Sequence, residues 1–194
     1  MNDVIYHFTS KHQLPLILKD GFLKLTESQL KPPTQEEIRQ LEQGNNSSLD
    51  KGAEDLYKPV VWLTDNGSPL NMGLDGSVFN KKEIKITLKM REHYIKWYIW
   101  SSKNRADKKW LENLQRNKGH DSWYVSERTI PITGDEIIRI ENIVKGETLI
   151  DVEAGIRTYK CAVEPARGIV PVPDYYEFIG KSGLKRGDVI EVAL

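Results

Sequence analysis

A single cysteine, Cys161, is all the thiol chemistry this sequence holds. One thiol rules out an internal disulfide and a cysteine-rich zinc site, and it fits a reducing compartment. Histidine is nearly as scarce. His7, His12, His93 and His120 lie scattered, without HExxH or CxxC partners, so no metal is expected. There is no GxxxxGK[ST] loop and no GxGxxG, which removes the common phosphate cradles. No stretch approaches the ~20 apolar residues of a membrane span. The opening "MNDVIYHF" carries neither a basic leader nor an apolar signal segment, so a cytoplasmic protein with no membrane partner is expected. Net charge is absent too: 28 basic and 28 acidic residues cancel, leaving no global field to draw the chain onto nucleic acid or lipid.

What is present suits a folded chain. At 194 residues, with 39% hydrophobic and 29% charged residues, it can bury a sizeable core in one domain of ordinary size. Val4, Tyr6 and Phe8 alternate with Ile5, His7 and Thr9 in a β-branched and aromatic run, predicting a strand. Ser10 and Gln13 follow with capping-box spacing, Leu14, Ile17 and Leu18 share a helical face, and Gly21 is placed to stop the helix. Pro15 belongs in a donor-free first turn, which moves the expected start to near His12.

Further along, Phe22 to Leu25 read as extended, and Thr34 with Glu37 caps a second, surface helix that stops at Gly44. A polar loop leads to a strand over Val60 to Thr64 that ends at Asp65-Asn66-Gly67. Ile84, Ile86 and Leu88 alternate in the next strand. Between Lys81 and Lys118, twelve basic residues face four acidic ones, interleaved with Tyr94, Trp97, Tyr98, Trp100 and Trp110. Such a mixture can hold phosphates and stack bases, with Lys103, Arg105, Lys108 and Lys109 as candidate nucleic-acid contacts. Part of it is an amphipathic helix, because Ala106, Trp110 and Leu114 share a face after Ser102. Asp121 to Ile132 then form a strand entering a proline turn, and "DEIIRIENI" forms another. From Val144 onward, short β-like runs alternate with Gly and Pro, and "SGLKRGDVIEV" is a turn feeding a terminal strand.

"YHFTS" followed by "LPLILKDGFL" resembles the opening of the ADP-ribosyltransferase superfamily, in particular its DNA-modifying, DarT-like branch and related bacterial and phage proteins. The strand "VWLT" and the late segment "WYVSERTIP" resemble its second and third elements, so that the likeness runs from Val4 to about Val144. It implies an α+β fold of two small mixed or antiparallel sheets around an NAD cleft over residues 1–148. A β-rich C-terminal extension, 149–194, would pack on that domain or form a small appended module. The implied activity is transfer of ADP-ribose from NAD, in a toxin–antitoxin or phage–host setting. By the same likeness His7 would bind the adenosine-side ribose, Thr9 would lie beside the cofactor, Thr64 would position the nicotinamide ribose, Tyr6 or Trp62 would wall the pocket, and Glu127 would be the catalytic carboxylate. Two positions before Glu127 stands Val125 rather than the Gln or Glu of enzymes that modify arginine or asparagine. This leaves DNA, RNA or other targets as acceptors and a protein antitoxin as a possible partner. Two alternatives use the same residues: a non-catalytic nucleotide-binding or protein-interaction module, and a nucleic-acid-binding protein built on segment 81–118 and the C-terminal extension.

Overall fold

The structure, a computed structural model, describes residues 3–26, 58–70, 72, 74, 79–104, 106, 108–116, 119–163 and 182–194, without the side chains at 110, 113 and 114. The helix expected between Thr34 and Gly44 lies outside these residues, as does Arg105. The described strands are β1 (Val4–Thr9), β2 (Phe22–Leu23), β3 (Val61–Thr64), β4 (Ile84–Lys89), β5 (Ile95–Lys96), β6 (Trp123–Ser126), β7 (Ile130–Pro131), β8 (Ile137–Asn142), β9 (Glu147–Asp151), β10 (Thr158–Ala162) and β11 (Val189–Ala193). Among the described residues three α-helices join them: α1 (Leu14–Asp20), α2 (Trp97–Lys103) and α3 (Lys108–Gln115).

Seven strands form one antiparallel sheet in the order β5-β6-β3-β1-β4-β8-β9. This overturns the expected α+β fold with two small sheets around a cleft: the described chain is mostly β, built on one large antiparallel sheet with only short helices. The reason lies in β1, which has strand partners on both edges: six residue pairs with β4 and the Tyr6–Thr64 pair with β3. A first strand bonded on both sides joins its neighbours into one surface. Two short two-stranded sheets, β2-β7 and β10-β11, accompany it.

Directly paired residues share a face, so the register sorts the side chains. On the first face Ile150, Ile140 and Ile86 run from β9 to β4, and the row continues through His7, Leu63 and Tyr124 to Lys96 on β5. Leu14 and Leu18 of α1, with Leu23, Ile130 and Ile132, close over its apolar part and make the main core. On the second face Asp151, Arg139, Thr87, Tyr6, Thr64 and Trp123 form a row. Its β3–β6 end is covered by Trp97 and Trp100 of α2, which pack with Val60, Met72, Trp123 and Val125.

α1 begins at Leu14 rather than near His12, and this places Pro15 in the first turn, where no donor is lost. Ser10 Oγ accepts the Gln13 N–H at 3.2 Å, and Gly21, at φ 77°, ends the helix by donating its N–H to the Ile17 carbonyl at 2.9 Å. The C-terminal strands pack back on the same unit. Tyr159, Cys161, Val192 and Leu194 join the main core, and Val163, Leu184 and Ile190 enclose Leu16 of α1.

Candidate functional site

β1, β3 and β6, which carry His7, Thr64 and the approach to Glu127, are consecutive strands of the sheet. Their candidate side chains divide between its faces. His7 and Thr9 lie on the α1 side, whereas Tyr6, Trp62 and Thr64 lie on the α2 side.

His7 stands where the β1–β3 ladder stops. Its Nδ1 lies 2.9 Å from the Trp62 carbonyl oxygen, which can only accept, so Nδ1 carries the proton and donates. Burial pushes the imidazole below its ordinary value of 6.5; the Trp62 carbonyl works the other way, and the Lys81 charge adds to the lowering. Protein atoms enclose it closely, and the residue as a whole is half-buried. The neutral ring therefore keeps a lone pair on Nε2, which has no hydrogen-bond partner among the described residues. A ligand hydroxyl or amide N–H is what that atom can receive. Thr9 is buried two residues on.

Thr64 is committed elsewhere. Its hydroxyl accepts the Asn66 N–H at 3.0 Å and donates to Ser122 Oγ at 3.0 Å, and Ser122 passes its own proton to the Gly119 carbonyl. This relay ties the end of β3 to the 3₁₀ turn His120–Ser122 before β6. Trp62 is half-buried against Trp97 and Trp123, at ring separations of 4.6 and 5.9 Å. Tyr6, on the same face, lies under the Lys85 ammonium, 5.8 Å from its ring centre.

Glu127 follows β6 and is exposed. The bend that carries it is pinned by Ser126, whose Oγ accepts the Arg128 N–H at 3.2 Å and donates to the Arg128 carbonyl at 2.8 Å. One carboxylate oxygen of Glu127 accepts the Trp100 indole N–H at 2.7 Å. Strand spacing and rise put the Cα atoms of His7 and Glu127 roughly 14 Å apart, with Glu127 at the end of the sheet toward which β1 runs.

No protein family, curated protein or solved structure matches this chain. Among the described residues no group of three or more His, Cys, Asp and Glu side chains is arranged to hold a metal, and no helix is long and apolar enough to cross a membrane.

The basic segment resolves into two populations. Lys85 pairs with Glu141 at 2.9 Å, Arg91 with Glu136 at 2.9 Å and Lys96 with Asp65 at 2.9 Å. Lys103, Lys108, Lys109 and Arg116 are exposed on or beside α2 and α3 and form no ion pair among the described residues. The aromatic residues separate likewise: Trp97, Trp100 and Tyr94 are core, while Tyr98 is 48% exposed.

Two functional candidates were hard to single out in the sequence. Lys96 appeared only as one charge among twelve. In the fold it donates to Asp65 Oδ2 and, at 2.6 Å, to the Asp121 carbonyl, while standing 4.2 Å from the Tyr124 ring centre in the row that contains His7. Burial opposes its charge, and Asp65 with Tyr124 outweighs that and raises its pKa. Trp100 gave no sign of being the partner of Glu127, since a contact between residues 27 positions apart leaves no local pattern.

Proposed function

We propose that this chain binds NAD and transfers its ADP-ribose to an acceptor. The observation that carries this is the adjacency of β1, β3 and β6: three segments roughly sixty residues apart in sequence, each resembling part of an ADP-ribosyltransferase site, lie side by side in one sheet. The Nε2 of His7, without a hydrogen-bond partner among the described residues, supports it as an acceptor for a ribose hydroxyl. Glu127 supports it as an exposed carboxylate with one oxygen held by Trp100 and the other without a partner among the described residues. Tyr6, Trp62 and Thr64 lie on the face opposite His7, the α2 side on which Glu127 meets Trp100.

In the reaction the bond between nicotinamide and the ribose C1′ breaks, and nicotinamide leaves with the electron pair. Positive charge then builds on the ribose, and a fixed carboxylate stabilises it. The open oxygen of Glu127 accepts a ribose hydroxyl and faces that charge. An acceptor oxygen or nitrogen bonds C1′ and releases its proton, which the same carboxylate can take.

Incubating the protein with labelled NAD and separate pools of DNA, RNA and protein tests the proposal. Nicotinamide release with label carried to one pool is expected. An absence of both NAD binding and nicotinamide release overturns it.

A second reading, a nucleic-acid-binding protein, is favoured by one observation: Lys103, Lys108 and Lys109 on α2 and α3 are exposed and form no ion pair among the described residues, whereas Lys85, Arg91 and Lys96 are neutralised. Its mark is steeply salt-dependent binding of DNA or RNA without NAD turnover.

A further inference from the structure

Three indole N–H groups are sunk in the cluster between α2 and the sheet. Those of Trp97 and Trp123 are buried with no acceptor among the described residues, whereas that of Trp100 has one in Glu127. Leaving an indole donor unpaired costs stability, so a cluster that tolerates two such donors yet steers the third onto a carboxylate has singled that contact out. Trp100 itself has little freedom. It is 2% exposed, and its ring stacks on Trp97 at 5.5 Å with 28° between planes. Trp97 is in turn fully buried and packs against Trp62 at 4.6 Å. Glu127, by contrast, is an exposed side chain on a bend, with several rotamers open to it unless something holds it.

We propose that Trp100 is the positioning residue for Glu127: its indole N–H holds one carboxylate oxygen, fixing the rotamer and leaving the other oxygen to the substrate. The donor is rigid because a stack of rings running back to β3 fixes it, and a donor held in that way orients its acceptor instead of following it. At 2.7 Å the contact is a short, well-formed hydrogen bond. The role rests on the transfer activity proposed above, and it adds a residue that touches neither NAD nor acceptor.

Two measurements separate this proposal from that reading. The first needs no activity: the Trp100 indole N–H resonance, followed by nitrogen-15 NMR, should move on Glu127→Ala and move less on Glu127→Gln, whose amide oxygen still accepts. A resonance indifferent to Glu127→Ala overturns the contact. The second is kinetic. Trp100→Phe should lower kcat for nicotinamide release by about 10²-fold, the scale of a misplaced catalytic group, while KM for NAD stays within about twofold.

Phe also leaves a gap in the cluster, so the benzothiophene analogue of tryptophan, which replaces the N–H with sulfur at nearly constant shape, is placed at position 100 as the second variant. It should match Trp100→Phe in kcat and the parent in melting temperature. If the analogue keeps the parental kcat while Glu127→Gln loses it, Trp100 is packing alone and the proposal falls, with the transfer reading intact. A parent chain that leaves NAD whole removes both.

Discussion

Replacing His7 tests the account of β1 most directly, because one hydrogen bond and one shifted titration meet in the same ring. In the native chain burial holds the imidazole neutral below its ordinary value of 6.5. As pH falls through that value the unfolded chain takes up a proton that the folded chain refuses, so the unfolded state binds more protons and stability falls with it. The sign is fixed: the contribution is whole above about 6.5 and shrinks as pH drops toward the lower, folded value, where the loss stops. One proton changes stability by at most about 1.4 kcal/mol per pH unit in that window. His7→Asn keeps a side-chain N–H for the Trp62 carbonyl but cannot titrate, whereas His7→Ala loses both. Urea denaturation of the parent and both variants from about pH 5 to about pH 7.5 should show a shallower acid dependence for each variant. At the upper end His7→Ala should be weaker than the parent by about 1–3 kcal/mol, the cost of an unpaired carbonyl, with His7→Asn in between. Three parallel curves would refute the neutral, buried imidazole, and equal stability at high pH would refute the bond to Trp62.

The other predictions are independent of this one. Glu127→Gln should fold like the parent, keep the Trp100 contact and lose at least ~100-fold in transfer, read as nicotinamide release; parental turnover removes Glu127 from the mechanism. Reversing Lys103, Lys108 and Lys109 to glutamate should flatten the salt dependence of DNA or RNA binding, since each neutralised phosphate adds about 0.9 to the logarithmic slope for a duplex and about 0.7 for a single strand. Unchanged binding at several salt concentrations would make α2 and α3 a solvated face. Lys96→Met should cost about 1–3 kcal/mol by urea denaturation, because Asp65 and the Asp121 carbonyl lose a shared donor.

Single strands were legible in the sequence because each is written in its own alternation. Ile84, Ile86 and Leu88 point to the core as their spacing requires, and Val61 and Leu63 do the same. What two strands share is not written in either. That β1 bonds both β3 and β4, and so fuses the sheet, depends on pairings 55 or more residues apart in the case of β3. The α2 helix shows a different limit. Trp97, Tyr98, Ile99 and Trp100 are residues of high strand propensity, yet they form a helix because a spacing of three brings Trp97 and Trp100 onto one side, where the sheet buries them. Packing outweighs propensity there, and the Glu127 contact exists only as a result. His7 was legible as a residue of interest, but the carbonyl that fixes its tautomer belongs to a strand it had no local reason to meet.

The replacement of a main-chain rung by the His7 ring has a mechanical consequence. β1 is fastened to β4 along its whole length but to β3 by the Tyr6–Thr64 pair and this one side chain. The sheet is continuous in topology and uneven in its hydrogen bonding: a four-stranded panel, β1-β4-β8-β9, meets a three-stranded panel, β5-β6-β3, along a seam with few strand pairs. His7 sits on that seam, and the bend bearing Glu127 belongs to the far panel. A change of angle between the panels would alter the separation of those two residues, at the expense of the Tyr6–Thr64 pair and the His7 contact.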